Sequence, residues 1–356
     1  MSSVTAEISS ACWLVLNGAS EAPDIGRIAV IGAGGWGTTL AVHLARRGHD
    51  AWLWGRDAAL VADMHARRAN AVYLTDVSFP TGLHVTNDIA EATNAADIIV
   101  SAVPTHGTRS ILTRVAPHIK AGSIVVSATK GLEQTTLFRV SEIIAQELGG
   151  GVRVAVLSGP SFAAEVAREL PTALSVASTE PAVVQRVQAE FRSPSLRLYG
   201  TDDVAGVEIG GAIKNVIAIA AGVAEGLGLG NNAQAGLITR GLAEISRLAC
   251  AVGARRDTLA GLAGLGDLVL TCTGTLSRNR HVGIELAHGR GLNDVLSGMK
   301  MVAEGVRTTE AALALAARVG VELPITAQVE ELLAGRKGPR AALEDLMLRP
   351  QRAEMG

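Results

Sequence analysis

Aromatic side chains are scarce in this chain, 3% of 356 residues, so it carries no array of stacked rings of the kind on which nucleic-acid bases lie. It also lacks an excess of charge of either sign, with 32 basic residues against 34 acidic ones. That balance excludes a general field for DNA or an anionic membrane and leaves room only for a local basic pocket. Cysteine is limited to Cys12, Cys250 and Cys272, far apart and without metal-ligand spacing, which implies reduced thiols in a cytoplasmic protein and no metal site. No apolar run reaches the roughly 18 residues of a spanning helix, so membrane insertion is not expected. The apolar patch Ala11-Cys-Trp-Leu-Val-Leu16 has no lysine or arginine before it and is too short for a secretory core. Residues 1–26 therefore read as a poorly ordered extension.

What the chain does have is glycine, 40 residues, and an apolar fraction of 48%, ample for the two cores its length predicts. One stretch stands out. Glu208-Ile-Gly-Gly-Ala-Ile-Lys-Asn-Val-Ile-Ala-Ile219 reads as an apolar helix with Lys214 set in its middle. An ammonium is costly to take out of water, so such a lysine either snorkels to the surface or is held near a ligand that needs it. Gly210 and Gly211 lie one turn before Lys214 and Asn215, and each costs about 1 kcal/mol relative to alanine in a helix, so something approaches that turn closely. On these residues alone a small-residue packing seam and a functional site are both open.

From Arg27 to about Ala128 short apolar runs alternate with helical segments, the form of βαβ units around a buried parallel sheet. Arg27-Ile-Ala-Val-Ile31 is the first strand, and it runs into Gly32-Ala-Gly-Gly-Trp-Gly37 before a helix that Gly48 ends. In that setting the pattern is a dinucleotide fingerprint. Gly32 and Gly34 allow the tight turn and bring backbone N–H groups to a pyrophosphate, and Gly37 lets helix and strand pack closely. The second strand, Ala51-Trp-Leu-Trp54, ends in Gly55-Arg56-Asp57, where an NAD-binding fold usually holds a carboxylate for the ribose hydroxyls. Arg56 suits a 2'-phosphate and favours NADPH; Asp57 keeps NADH open and otherwise serves as the N-cap of the next helix.

Further strands are expected at 83–86, 97–103 and 124–128. The loops after the last two carry His106 and Lys130 at the carboxyl end of the sheet, where ligands bind. Lys130 reads as a ligand contact and His106 as a capping or surface residue. Arg153 to Leu157 is another strand, followed by Ser158-Gly-Pro-Ser-Phe-Ala163 and a helix, so Ser161 is either a hydroxyl for a phosphate or hydroxyl-bearing substrate or simply an N-cap. Segments 173–177 and 196–199 close the first domain as later additions to the parallel sheet. After about Thr201 no strand pattern remains, and helices are expected near 203–227, 232–253, 280–288, 306–319 and 325–334. The fold class is an α/β Rossmann domain, doubly wound with a mostly parallel sheet, over 27–201, followed by an all-α domain over 202–345 and a tail over 346–356. Ser277-Arg-Asn-Arg280, at a helix start, combines cations, fork geometry and free N–H groups, a receptor for a phosphate monoester unless it is only a solvated basic turn.

Taken together, Gly32-Ala-Gly-Gly-Trp-Gly37, Ala128-Thr-Lys-Gly-Leu132, Gly159-Pro-Ser-Phe-Ala163, Gly211-Ala-Ile-Lys-Asn215, Gly264-Leu-Gly-Asp267, Ser277-Arg-Asn-Arg280 and Val302-Ala-Glu-Gly305 resemble, in order, the motif set of the bacterial NAD(P)-dependent glycerol-3-phosphate dehydrogenases. The resemblance implies reversible reduction of dihydroxyacetone phosphate to sn-glycerol 3-phosphate for phospholipid synthesis. It implies Lys214 as proton donor or acceptor, with Lys130, Gly159, Ser161, Asp267, Ser277, Arg278 and Asn279 around a small phosphorylated substrate. It also implies contacts from Gly35, Trp36, Arg56, Lys130, Ala163, Arg278, Val302 and Glu304 to NADPH or NADH, alongside the turn of Gly32, Gly34 and Gly37. A hydride delivered to a ketone leaves alkoxide character on oxygen, which an ammonium stabilises and protonates. Burial lowers the pKa of such a lysine, while Asp267 or the substrate phosphate raises it. Competing readings are a related two-domain hydroxy-acid dehydrogenase and a non-catalytic NADPH sensor; the sensor has no use for a cleft lysine together with a second phosphate receptor. A homodimer is expected from the apolar helical domain.

Overall fold

The computed structural model describes residues 26–299 and 303–351, so the expectations for the N-terminal extension and for Val302 lie outside the described residues. The chain opens as β1 (Arg27–Ile31), α1 (Gly35–Arg46) and β2 (Asp50–Trp54). It continues through α2 (Ala58–Arg67), a short hairpin of β3 (Ala69–Asn70) and β4 (Leu74–Ser78), then β5 (Leu83–Thr86), α3 (Ile89–Thr93) and β6 (Ile98–Ser101). Next come α4 (Thr105–Val115), β7 (Ile124–Ser127), α5 (Val140–Leu148), β8 (Arg153–Ser158), α6 (Ala163–Ala167), β9 (Thr172–Ala177), α7 (Pro181–Phe191) and β10 (Leu196–Thr201).

Eight of these strands form one sheet in the order β10-β9-β8-β7-β6-β1-β2-β5. Every residue of β6 and β7 is buried, which is why these strands are unbroken apolar runs without alternation. The chain leaves β1 for β2 on one side and reaches β6 on the other, so a topological switch point opens beyond the ends of β1 and β6. Two strands depart from the parallel sheet expected: β9 runs antiparallel to β8, pairing Val156 with Ala177 and Ser158 with Ser175, and β10, parallel to β9, runs against the other six strands as well. The cause is α6. A parallel return needs a crossover that spans the sheet, and a helix of 5 residues is too short to carry the chain back. The β3–β4 hairpin was also not expected, since Leu74–Ser78 shows little apolar alternation. It matters because Asn70, wholly buried, donates from Nδ2 to Ala33 O at 3.0 Å and to Thr38 Oγ1 at 2.9 Å, bracing the glycine turn.

After β10 every described element is helical: α8 (Val204–Gly226), α9 (Gly230–Ala251), α10 (Arg256–Ala260), a π-type turn at Leu262–Gly266, and α11 (Asp267–Thr273). There follow α12 (Arg278–Ala287), α13 (Leu292–Ser297), α14 (Glu304–Arg318), α15 (Pro324–Leu333) and α16 (Pro339–Met347). The five helices expected are present; α10, α11, α13 and α16, of 5, 7, 6 and 9 residues, hold too few turns to register as a period. α8 is the axis of this half, with α9, α11, α12 and α14 packed around it. Fully buried Ile209, Ile213, Val216 and Ile217 each contribute about 1.5–3 kcal/mol of apolar transfer. Against the expectation that no stretch reaches a spanning length, α8 is long and apolar enough to cross a bilayer, with an 18-residue window of mean hydropathy 1.5, but the same enclosure buries 83% of that window inside the protein.

Candidate active site

α8 carries Lys214 into the cleft between the sheet and the helical half, and the two glycines before it determine what comes close. A Cβ on Gly210 would lie 2.6 Å from the carbonyl oxygen of Ala263 in the π-type turn, and one on Gly211 would lie 2.5 Å from Ser158 Oγ at the end of β8. With no side chains in the way, the turn seats on α8, and α11, which continues it, presents Asp267 and Thr271. Lys214 Nζ donates to Asp267 Oδ1 at 2.5 Å and to Thr271 Oγ1 at 2.7 Å. From the opposite side Lys130, in the loop after β7, donates to Asp267 Oδ2 at 2.6 Å and to Gly159 O at 3.0 Å. Ser161 Oγ donates to the same Gly159 carbonyl at 3.0 Å; it does not cap α6, whose N-cap is Phe162. The packing seam and the charged cluster are thus one feature, and Lys214, Lys130, Asp267, Gly159 and Ser161 are brought together as expected.

One carboxylate, only 1% exposed, therefore bridges two ammonium groups. Burial pushes the Lys214 pKa down to about 8; Asp267 opposes the shift, and neighbouring Lys130 adds to it. An ammonium so poised gives up and takes back a proton near neutral pH. Two cations against one anion also leave net positive charge where a reacting oxygen would develop negative charge.

The second expected cluster lies at the start of α12. Ser277 is its N-cap, with Oγ accepting from Arg280 N at 3.3 Å and the hydroxyl hydrogen left to donate. Crowding lowers the Arg278 guanidinium pKa and Glu304 opposes that, but an arginine remains charged at neutral pH. Asn279 is buried: Nδ2 donates to Asn215 Oδ1 at 2.9 Å and Oδ1 accepts from Gly305 N at 3.0 Å. The amide thereby ties α8, α12 and α14 together one residue from Lys214, and the backbone N–H groups of the helix start remain for an anion.

At the sheet's switch point the glycine turn is tight toward the protein and open toward the cleft. Gly32 has φ of +118°, where a Cβ would lie 2.7 Å from Ala102 O, and a Cβ on Gly37 would lie 1.9 Å from Gly32 O. At Gly34 nothing lies within 4 Å of that position, and α1, starting at Gly35, has no side-chain cap on its first N–H groups. Such a cradle fits the pyrophosphate of a dinucleotide. Half-buried Trp36 keeps its Nε1 enclosed and without a hydrogen-bond partner. Arg56 is exposed at the end of β2, and Asp57 caps α2 by accepting from Ala59 N at 2.9 Å and Leu60 N at 3.2 Å, the structural role foreseen for it. Ala163 opens α6 beside α1, its carbonyl accepting from Thr39 Oγ1 at 3.0 Å. Glu304 Oε1 accepts from Thr105 N at 3.2 Å, and burial pushes its carboxyl up to about 7 against the pull of Thr105 and Arg278. His106 is exposed in the first turn of α4.

Three residues at the site were not singled out from sequence. Thr271 is four residues after Asp267 on one helix face, a spacing that would have found it. Asn215 follows Lys214 directly, and its role shows only through Asn279; Asn70 carries no local signal at all.

Known proteins share both halves of this arrangement. The family profile described as NAD-dependent glycerol-3-phosphate dehydrogenase N-terminus matches residues 27–184, and the C-terminus profile matches 203–344. A Koribacter versatilis protein named glycerol-3-phosphate dehydrogenase (NAD(P)+) is 50% identical over 333 residues, 92% of this chain and 99% of its own length. Its namesake from Geobacter sulfurreducens is 52% identical over 330 residues, 92% of this chain and 98% of its own. The crystal structure of glycerol-3-phosphate dehydrogenase from Coxiella burnetii superposes with a TM-score of 0.88 at 40% identity, covering 91% of this chain and 99% of that one. With both halves matched over nearly the whole of its relatives, the chain belongs to the NAD-dependent glycerol-3-phosphate dehydrogenase family.

Proposed function

We propose that the chain catalyses the reversible NAD(P)H-dependent reduction of dihydroxyacetone phosphate to sn-glycerol 3-phosphate, feeding glycerophospholipid synthesis, with NADPH favoured through Arg56. The observation that carries this reading is the pair Lys214 and Lys130 held by one buried Asp267. In this reading residues 27–201 bind the dinucleotide and 202–345 supply the acid/base and the phosphate receptor. A nicotinamide cofactor, when bound, supplies the hydride. The chain's own part begins with the substrate phosphate, received by Ser277 Oγ, the Arg278 guanidinium and the free N–H groups at the start of α12. Lys130 and Ser161 flank the carbonyl end, and Glu304 borders the cofactor. Lys214 Nζ donates its proton to the carbonyl oxygen as negative charge builds there, and takes one back from the hydroxyl in the reverse direction. Asp267 and Thr271 hold that ammonium in position. A homodimer through the apolar helical half completes the reading, as does a cytoplasmic setting, which suits the free thiols of Cys250 and Cys272.

The test is a spectrophotometric assay of NADPH and NADH oxidation with dihydroxyacetone phosphate. Lys214→Ala is expected to keep NADPH binding and to lose turnover by roughly a thousandfold or more. Near-normal turnover in that variant, or equal reaction of a ketone lacking phosphate, would sink the assignment.

A further inference from the structure

A small recess opens beside the switch point, between the start of α4 (Thr105, His106), the loop after β7 (Leu132, Gln134) and the first turn of α14 (Glu304, Arg307). Its walls come from both halves of the chain. Glu304 spends one carboxylate oxygen on Thr105 N, the first N–H of α4, and His106, one residue on, lies in the same turn. β6, which leads to His106, is separated from β2, which leads to Arg56, by β1 alone, so the two side chains flank the glycine turn from strands roughly 10 Å apart. Partial burial, Arg307 and then Arg56 hold the His106 imidazole below its usual pKa, in keeping with both guanidiniums being near it. Among the described residues neither Arg56 nor Arg307 makes a hydrogen bond or ion pair, although most other arginines at the surface do.

Two unneutralised guanidiniums, one at the end of β2 and one on α14, beside a single imidazole are unfavourable unless an anion joins them. A pyrophosphate does not require this group, because the glycine turn and the start of α1 already offer it their N–H groups. What remains to be matched is one further phosphate on the adenosine end of the cofactor. We propose that Arg307 and His106 complete, with Arg56, the receptor for the 2'-phosphate of NADPH, so that the helical half itself contributes to cofactor choice. Arg307 reaches over the mouth of the cleft from α14 and engages the phosphate with its planar fork, while His106 donates from α4. Glu304, three residues before Arg307, disfavours additional anions in the same recess and confines the phosphate to its basic side.

This inference rests on the dinucleotide part of the reading above and not on the identity of the ketone substrate. Its test is titration of the full chain with NADPH, NADH, 2',5'-ADP and ADP by calorimetry. Arg307→Ala is expected to weaken NADPH and 2',5'-ADP roughly ten- to a hundredfold while moving NADH and ADP less than about twofold. Arg307→Lys, which keeps the charge and loses the fork, recovers part of the loss. An equal loss for NADH and NADPH would place Arg307 on the pyrophosphate, and no loss for either would remove it from the site; each outcome overturns the proposal. Since Arg307 is exposed, an unchanged thermal melt separates these results from misfolding. If the unaltered chain binds NADPH but does not reduce dihydroxyacetone phosphate, the substrate reading fails and this one stands.

Discussion

Asp267→Asn removes the negative charge between Lys214 and Lys130 while keeping the shape of the side chain. In the unaltered protein Asp267 Oδ1 and Oδ2 lie 2.5 Å and 2.6 Å from the two ammonium nitrogens, and Lys214 sits at a pKa of about 8. As the proposed acid/base, Lys214 must be charged to donate and neutral to accept. Ketone reduction therefore falls as pH rises through about 8, and alcohol oxidation rises through the same value. A carboxylate at this distance holds a cation's pKa up by about 1–3 units, each worth about 1.4 kcal/mol. With the charge gone, burial and Lys130 act on Lys214 almost unopposed, and its pKa falls to around 5–7. Reduction at about pH 7.5 then drops by roughly three- to two-hundredfold from protonation alone, and recovers toward acid pH. The measurement is the pH profile of kcat/KM in both directions for the two proteins, with NADPH affinity as the control for fold. A limb that stays at about 8 or moves upward in the variant would refute the reasoning, because it would mean that Asp267 does not hold the Lys214 proton.

Two further perturbations test neighbouring links. Thr271→Val keeps the volume and removes the acceptor 2.7 Å from Lys214 Nζ; losing a hydrogen bond to a buried charge costs about 1–3 kcal/mol, so kcat falls by roughly tenfold to a hundredfold and the reduction limb moves below about 8. The pH profile reads both, and an unshifted limb with normal kcat would count against a role for Thr271. Glu208→Ala leaves Ser141 N and Oγ, 2.8 Å and 2.5 Å from the carboxylate, and Arg139, at 3.2 Å, without their buried partner. Since Glu208 on α8 is what joins the start of α5 to the helical half, unfolding in urea should show a loss of about 3–5 kcal/mol. A loss under about 1 kcal/mol would show that the junction is held by apolar packing instead.

Much of this protein was legible before its structure. Continuous apolar runs at Ile98–Ser101 and Ile124–Ser127 declare buried parallel strands, and a strand running into Gly32–Gly37 and then a helix declares a dinucleotide turn. These are local patterns, fixed by side-chain period and by backbone conformations open only to glycine. The presence of Lys214 in an apolar helix beside two glycines was equally a local fact, and it was enough to ask what approaches that turn. Three-dimensional packing supplied the answer: Asp267 lies 53 residues from Lys214 and 137 from Lys130, and only the seating of the π-type turn on Gly210 brings one carboxylate to both. The direction of β9 was likewise beyond local reading, because it follows from whether α6 is long enough to recross the sheet rather than from any residue in β9. Composition and period determine which elements form and which face each buries, since those depend on neighbours in sequence. The charge state of Lys214, the partners of Asn279 and the meeting of Arg307 with His106 depend on desolvation and Coulomb terms between distant segments, and only the folded chain sets those distances.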